Sequence, residues 1–519
     1  MHLVSSPPPG RPTVPPTWER FRAAVRRVDR DSLLIQAAAA SAAIAKDQLP
    51  PESASLGLTP WNIADVARTS LAWASFQRPE ANGQTLLQLS NMNAQLVDEG
   101  LLISEGSIDP LGQILSRTFF EQFPGQRSIL AGVSRSILLF GSAAELPPDF
   151  APEAMNSGWF EAITGGLSLE EYVESVFLVS VGAQQSEGKF SLNWLDGSAF
   201  QGLEDVFSFE AIRRTFSEHL LTDPTSFKEA NRRFQDPLPN GQKKFAFNPL
   251  SDKPFISGIG DVALAPWVQA IIAKALPPAI YHVGLRSLGV EFTHDLGHVF
   301  QHYVGRQLNL VEGDRQVIPE VPYGPKRDLR DSCDWFLDLP GLLVLIECKA
   351  RQPIESLRTG GIDWLQSVEG SIGKGISQLN RSHLDIATIA ASSGSLDAKK
   401  RQVGIVVTLE PFYLNQNWLI RDELVAADFP VGVLSVGELE ALVMLGSEPL
   451  EKMLCAAADA SRDNVMLLAQ DPAAGHENPL LVDTWNSISL FARIEQATER
   501  LHAAEGDPSI AATTSDATN

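Results

Sequence analysis

The strongest constraint on the fold is an uninterrupted apolar run at residues 342–346, with the sequence LLVLI. A run of this length after a Pro340-Gly341 turn signal predicts a strand of a buried sheet. Glu347 and Lys349 follow directly at its end. Charged residues are seldom placed against so apolar a strand for structural reasons alone. The sequence therefore predicts a buried sheet with a functional site at one edge.

A second strand-like segment, residues 332–339, precedes the apolar run, and the two segments together predict a β-hairpin. In the predicted register Asp334 lies opposite Glu347, with their Cβ atoms about 4.5–5.5 Å apart. Side chains alternate along a strand, so Glu347 and Lys349 share one face and the Cys348 side chain points to the other. The local pattern thus brings two carboxylates and an amine together.

Asp334 and Glu347 would repel each other at this separation unless a cation lay between them. Mg²⁺ suits such a pair because it takes hard oxygen ligands and keeps open positions for phosphate oxygens; Mn²⁺ is the alternative. The carbonyl oxygen of Cys348 is the third predicted ligand. Lys349 beside the ion would orient or deprotonate a water molecule and stabilise a charged transition state. The pattern predicts hydrolysis of phosphodiester bonds.

The hairpin lies within an ordered series of predicted elements, α-β-β-β-α-β-β-α. The period of the apolar residues distinguishes the helices from the strands, and Gly and Pro residues mark the turns between them. The predicted elements are a helix at 287–308, strands at 315–323, 332–339 and 342–348, a helix at about 362–386, strands at 403–409 and 431–436, and a helix that opens at 437–438.

The combination of Asp334 with Glu347-x-Lys349 in this order of elements resembles the PD-(D/E)XK, or restriction-endonuclease-like, nuclease superfamily. Gln378 extends the resemblance, since several branches carry a glutamine on the helix after the hairpin. The resemblance covers roughly residues 284–440. It implies an α/β fold with a restriction-endonuclease-like αβββαβ core, and a metal-dependent nuclease activity.

The first helix of the superfamily often carries a glutamate as a further ligand. In the matching segment, GHVFQHYV, this chain has Gln301 instead. Gln301 is therefore a supporting candidate, and Glu291 or Glu320 is an alternative source of the missing carboxylate.

The domain organisation follows from changes in composition along the chain. A proline-rich start and a polar end predict disordered tails, and Ala-rich and Leu-rich periodic segments predict helices, including helices at 448–470 and 483–504. The stretch 222–262 is richer in Pro, Asn and Lys and predicts loops with short extended pieces. The predicted parts are a tail at 1–16, a large mostly helical N-terminal domain at 17–270, the nuclease-like domain at 280–445, a short helical C-terminal region at 446–505 and a tail at 506–519.

The formal net charge of −22 argues against a chain that is basic throughout its surface. Residues 281–410 contain 14 Lys and Arg against 16 Asp and Glu, a net of −2, so the remaining −20 lies elsewhere. The segment around the hairpin is thus nearly neutral. The acidic N-terminal region offers a surface for a protein partner, and the family resemblance implies nucleic acid as the partner of the nuclease-like segment.

Basic residues flank the hairpin on both sides, and they are candidates for contacts with backbone phosphates. A solvated rim of charges is the other interpretation of the same residues. The candidates are Lys326, Arg327 and Arg330 before Asp334, and Arg351 and Arg358 after Lys349; Lys243-Lys244 and Arg232-Arg233 are weaker ones.

Other features predict no second activity. His294 and His298 have the i, i+4 spacing of a zinc-binding helix, but a polar helix face is the preferred interpretation; they could also assist phosphate or metal binding at the hairpin. Residues 33–45 imitate a signal peptide, but an Ala-rich helix capped by Asp31 or Ser32 fits better. The three cysteines show neither a disulfide framework nor a CxxC pair, which indicates a reducing, cytoplasmic setting. No apolar run reaches the roughly 20 residues that a membrane span needs.

The sequence therefore predicts a cytoplasmic, Mg²⁺-dependent nuclease in which Asp334, Glu347 and Lys349 are catalytic. DNA is the substrate that the family resemblance implies more strongly than RNA, in defence or DNA processing. The alternative is a catalytically silent scaffold of the same fold that binds a protein or a nucleic acid.

Overall fold

The structure is a computed structural model that describes residues 16–50, 52–74, 77–96, 110–122, 128–141, 144–353, 368–414, 424–468 and 476–505. Almost all of the predicted tails, together with Arg358, lie outside these residues. The fold is mixed α/β, as the sequence predicts at this coarser level. None of the helices in the described ranges combines the length and the apolarity that crossing a bilayer requires.

Helices dominate the N-terminal region up to residue 273, in agreement with the periodicity of its sequence. They are α1 (Trp18–Val25), α2 (Arg30–Ala45), α3 (Glu52–Ser55), α4 (Pro60–Trp73), α5 (Gly83–Ala94), α6 (Pro110–Gln122), α7 (Ile129–Phe140), α8 (Trp159–Thr164), α9 (Leu169–Gln185), α10 (Phe209–Arg214), α11 (Pro224–Gln235) and α12 (Gln269–Ala273).

The Ala-rich segment that imitates a signal peptide is the buried helix α2. Its N-cap is Asp29, whose carboxylate accepts a hydrogen bond from the Ser32 amide at 3.0 Å. The predicted caps, Asp31 and Ser32, were wrong by two or three residues. Both residues lie inside the first helical turn. The Ser32 amide is one of the free N–H groups of that turn, and Asp29 accepts its hydrogen bond.

Two features of the N-terminal region were not predicted. Residues 222–262 were expected to form loops with short extended pieces, yet Asp223 caps helix α11 by accepting hydrogen bonds from the amides of Thr225 and Ser226. A small sheet of order β1-β4-β3-β2 also forms there. Its strands are β1 (Lys189–Phe190), β2 (Leu221–Thr222), β3 (Phe255–Ile259) and β4 (Val262–Leu264).

The main sheet has five strands in the order β11-β10-β9-β8-β5. The hairpin strands β8 and β9 are antiparallel, as are β5 and β8, whereas β9, β10 and β11 are parallel. The strands after β4 are β5 (Gln316–Pro319), β6 (Pro322–Tyr323), β7 (Arg330–Asp331), β8 (Trp335–Asp338), β9 (Leu342–Lys349), β10 (Arg401–Thr408) and β11 (Val431–Ser435).

Helices cover both faces of this sheet, which explains the uninterrupted apolar run. Leu342, Val344 and Ile346 join one core cluster, while Leu343 and Leu345 join a second on the opposite face. The helices from residue 277 onward are α13 (Pro277–Leu308), α14 (Lys374–Leu384), α15 (Ile386–Ser393), α16 (Val436–Leu442), α17 (Ser447–Asp459), α18 (Pro479–Asn486) and α19 (Ser489–Glu505). Helices α13 and α14 pack on β9 from the two sides.

The bounds of two predicted segments differ from the structure. Helix α13 begins at Pro277, ten residues before the predicted start, and is kinked at Gly289, where φ is 71°. The predicted helix 448–470 ends at Asp459, because the chain then turns back and Val465 bridges to Val431 of β11. The apolar period encodes neither the glycine conformation at the kink nor the contact that turns the chain back after Asp459.

One continuous core cluster extends from Ala42 of helix α2 to Leu490 of helix α19 and includes one face of the main sheet. The N-terminal helices and the hairpin strands thus contribute to the same hydrophobic core. The predicted boundary between residues 270 and 280 remains a prediction. For the site, the consequence is that helix α13 is held between the sheet and the N-terminal helices.

Candidate active site

The hairpin forms in the predicted register. Trp335 pairs with Ile346, and Asp338 pairs with Leu343 at the other end of the ladder. Pro340 and Gly341 form the loop, and Gly341 donates its amide to the Glu451 carboxylate of helix α17 at 3.0 Å. A tertiary hydrogen bond therefore supports a turn that is not among the favoured two-residue types.

Asp334 is placed by the residues on either side of it in the hairpin. Its Oδ2 accepts a hydrogen bond from the Cys348 amide at 2.6 Å, one position beyond the last strand pair. The neighbouring Trp335 fills the space left by Gly305 of helix α13, where any Cβ would clash with the indole, and donates its Nε1–H to the Gln301 carbonyl at 2.8 Å. The indole thus anchors the start of β8 and fixes the carboxylate beside β9.

Lys349 is held from two sides. Its Nζ lies 2.7 Å from Glu347 Oε1 and 2.7 Å from Gln378 Oε1. Helix α14 approaches this closely because it carries Gly375, whose added Cβ would lie 3.3 Å from Lys349 Cε and 3.1 Å from Val406. The glycine lets the helix lie directly on the lysine, and Gln378 follows one turn later.

Glu347 is the most deeply buried charged group of the site. Its side chain is only 2% exposed, and its Oε2 is buried without a hydrogen-bond partner in the part of the chain that the structure describes. Burial, and next the charge of Asp334, raise the pKa of Glu347 to about 8, although Lys349 opposes the shift. A buried acceptor without a partner is costly, so the site favours a cation at this oxygen.

A third carboxylate lies in line with the two predicted ones. In the β5–β8 pair Pro319 faces Trp335, so the next position places Glu320 opposite Asp334, just as the hairpin places Asp334 opposite Glu347. Partial burial and the charges of Asp334 and Asp331 raise the pKa of Glu320 to about 7. Burial also raises the pKa of Asp334. Three acidic residues therefore lie at the same end of three adjacent strands.

The groups that would hold Mg²⁺ are Asp334, Glu347 and the Cys348 carbonyl. In an antiparallel pair a residue directs its N–H and C=O to the same side, so the carbonyl of Cys348 faces the Asp334 strand, as its N–H does. No group of three or more His, Cys, Asp or Glu side chains in the described ranges is arranged to hold a metal. Two carboxylates and a carbonyl still suit Mg²⁺, which keeps several waters.

A neighbouring segment of the chain covers part of the histidine face of α13. Asp295 is buried and accepts hydrogen bonds from the Ala154 and Met155 amides at 2.6 and 2.9 Å. The Phe150 ring lies 4.5 Å from the ring of His298. The segment around residues 145–155 therefore lies along the face that was predicted to be simply polar.

His298 nevertheless lies near the site. Burial, and next the neighbouring His294, lower the pKa of His298, while the charges of Asp295 and Asp334 act in the opposite direction. Asp334 is thus among the charges that act on His298, which lies on the helix that packs on β9. The supporting role of His298 stays a prediction.

The other supporting candidates have different positions. Gln301 meets the site through its carbonyl, which accepts the hydrogen bond of Trp335. Glu291 is exposed beside the kink at Gly289, ten residues or about 15 Å along the helix from Gln301. Glu320 and Glu291 were the two predicted substitutes for a glutamate on the first helix. Of these, Glu320 lies next to Asp334, and Glu291 lies far from the site.

The basic candidates fall into two groups. Lys326, Arg327, Arg330 and Arg351 are exposed near the hairpin, where phosphates could reach them. Lys244, by contrast, is buried in ion pairs with Glu121 and Asp65, and its predicted role in phosphate binding was wrong. A lysine with two carboxylate partners inside the N-terminal core is not accessible to a polyanion.

Sequence reasoning missed two cations beside the lysine. Lys374 and Arg381 are exposed and lie four residues before and three residues after Gln378 on helix α14, so the three residues share a face. Their i, i+4, i+7 spacing was present in the sequence. The spacing indicates cations next to the site only because Gln378 contacts Lys349.

In sum, the structure brings Asp334, Glu347, Lys349 and Gln378 into one constellation, with Glu320 next to it. Comparison with family models found no match for this chain, and searches among curated proteins and among solved structures likewise returned none. The proposal for its function accordingly rests on this geometry and on the resemblance in the sequence pattern.

In metal-free buffer we expect Glu347 to make the folded chain less stable as the pH rises. Its pKa is about 8 in the folded chain against an ordinary 4.5, so between these values the folded chain keeps a proton that the unfolded chain has lost. The free energy of unfolding should fall by up to about 1.4 kcal/mol per pH unit in this window and level off above it. Glu347→Gln should remove this component.

The measurement is the difference in unfolding free energy between wild type and Glu347→Gln, from urea titrations with EDTA across the window. Added Mg²⁺ should flatten the difference, because a bound cation favours the ionised carboxylate. A difference that stays constant with pH would contradict the raised pKa.

Proposed function

We propose that this protein is a Mg²⁺- or Mn²⁺-dependent nuclease with a restriction-endonuclease-like core. The observation that carries the proposal is the position of Lys349, held between Glu347 and Gln378 while Asp334 bonds to the backbone of the intervening Cys348. The order of elements from α13 through β5, β8, β9, α14 and β10 supports the same assignment.

The chain's residues have distinct tasks in the proposed reaction. Asp334, Glu347 and the Cys348 carbonyl hold the divalent ion, which supplies Lewis-acid stabilisation of the phosphate when bound. Lys349 orients the attacking water, whose oxygen forms a bond to phosphorus as the bond to the leaving oxygen breaks. Gln378 fixes the lysine from helix α14, so that its position does not depend on Glu347 alone.

Nucleic acid is the proposed substrate because it carries the phosphodiester that this chemistry acts on. DNA is favoured by analogy with the superfamily that the motif resembles. Exposed cations around the site, including Arg351 and Arg381, offer local positive charge within a chain of net charge −22. The cations would contact the backbone phosphates on either side of the scissile bond.

The proposal is tested by incubating the full chain with labelled DNA in the presence of Mg²⁺, Mn²⁺ or EDTA. Hydrolysis is expected with either metal and none with EDTA. Calorimetric titration of Mg²⁺ into wild type and Asp334→Asn should show a binding site that the variant weakens by about tenfold or more, since it removes a charged ligand. Equal Mg²⁺ binding by both proteins would contradict the metal assignment.

The second candidate is a catalytically silent scaffold of the same fold. The Lys349–Glu347 ion pair favours it, because a lysine can neutralise the buried carboxylate without any metal. The acidic N-terminal region would then engage a protein partner. The calorimetric experiment separates the candidates, because a silent scaffold should show no carboxylate-dependent Mg²⁺ site.

A further inference from the structure

A short two-stranded ribbon, residues 321–332, projects from the sheet edge that carries the site. Pro322 pairs with Asp331 and Tyr323 with Arg330, so that β6 and β7 form the two sides. A hydrogen bond from the Val321 amide to the Ser332 hydroxyl, at 2.9 Å, closes its base. The chain enters the ribbon directly after Glu320 and leaves it just before Asp334, so its base adjoins the acids.

The ribbon is held against the helices that follow the hairpin. Tyr323 is buried and donates its hydroxyl to Asp385 at 2.8 Å. Arg381, on the same helix as Gln378, donates to the Asp331 carbonyl at 3.2 Å. The contact that positions Lys349 and the contact that positions the ribbon therefore come from the same helix, α14.

The tip of the ribbon is exposed and basic. Residues 324–330 (GPKRDLR) carry three cations and one acid in a chain whose net charge is −22. Gly324 turns the chain at a φ of 99°. Leu329 is 57% exposed beside the cations, where nothing in a purely structural turn requires a large apolar residue.

We propose that this ribbon enters the major groove of duplex DNA beside the scissile phosphate. The groove of B-form DNA, about 12 Å wide, admits a two-stranded ribbon, whereas the major groove of an RNA duplex is too deep and narrow for side chains to read. Lys326 and Arg327 contact backbone phosphates, and Arg330 and Leu329 face base edges. The position beside a scissile phosphate rests on the proposed nuclease function, and binding by the ribbon does not.

The test measures binding separately from cleavage. Fluorescence anisotropy of the full chain in EDTA uses a fluorescein-labelled DNA duplex, the RNA duplex of the same sequence and single-stranded DNA. Lys326→Ala combined with Arg327→Ala is expected to weaken DNA duplex binding by about tenfold or more and to reduce the slope against salt by about 2. The RNA duplex is expected to bind more weakly than DNA.

The matched control is Arg26→Ala combined with Arg27→Ala, an exposed basic pair directly after helix α1. It should bind DNA as wild type does. If the ribbon variant binds as tightly as wild type, or if the RNA duplex binds as tightly as the DNA duplex, the proposal is wrong. Ribbon-dependent binding without hydrolysis in Mg²⁺ would instead support the ribbon and overturn the nuclease.

Discussion

Replacing Lys349 with alanine is expected to reduce phosphodiester hydrolysis by at least about 10²-fold, with a smaller effect on substrate binding. A positioned proton-transfer or charge-stabilising group typically contributes 10²- to 10⁴-fold. Lys349 is the amine at the centre of the site, 2.7 Å from both Glu347 and Gln378. Single-turnover rates at saturating enzyme separate the chemical step from binding. Glu347→Ala should lose activity to a similar extent.

The matched control is Lys400→Ala. Lys400 is also a partly buried lysine that contacts the hairpin, but it bonds to Asp338 at 2.6 Å and to the Leu339 carbonyl at the opposite end of the strands. It should cleave at the wild-type rate once folding is confirmed. Undiminished cleavage by Lys349→Ala and Glu347→Ala would refute the assignment of the active site.

Replacing Glu440 with alanine is expected to destabilise the folded chain by about 3–5 kcal/mol, because it leaves a buried charge without its partner. Glu440 of helix α16 accepts hydrogen bonds from Arg135 of α7 at 2.7 and 2.5 Å and from the Tyr303 hydroxyl of α13 at 2.7 Å. Burial opposes the charge on Arg135, yet the pair with Glu440 raises the pKa of Arg135 above its ordinary range. The loss is measured as a shift of the unfolding midpoint with urea.

The double variant Arg135→Met, Glu440→Leu should recover most of that loss, since replacing both partners with apolar groups removes the unpaired charge. Asp196→Asn, which breaks an exposed ion pair with Arg213, is the control and should change stability by less than about 1 kcal/mol. A Glu440→Ala midpoint close to wild type would show that the pair contributes little to joining the helices.

The hairpin is the part of the site that local sequence could predict. An apolar run, a turn and the alternation of side chains determine its register, and these act between residues close in the chain. The predicted proximity of Asp334, Glu347 and Lys349 is confirmed, because all three lie within sixteen residues of sequence. Their catalytic roles stay a prediction. The same reasoning placed the Cys348 side chain on the opposite face, where it packs against the first core cluster.

Predictions that depended on distant partners fared differently. Lys244 was expected to be available to phosphate, but Glu121 and Asp65, more than a hundred residues earlier, enclose it. The sequence predicted a polar face at His298 but did not predict that residues 145–155 pack along it. No pattern in that segment indicates which helix it contacts. Helix α11 was missed although Asp223-Pro224 is an N-cap signal, since its polar composition concealed the buried Phe227.

By itself, the sequence determined the strands, their alternation and the register that brings an aspartate to a Glu-x-Lys pair. These follow from backbone geometry and from short-range burial. Only the tertiary structure decided that Gln378 reaches Lys349, that Glu320 continues the row of acids and that the ribbon adjoins them. Such contacts depend on how separate helices and strands pack against one another, and no local period of apolar residues encodes that arrangement.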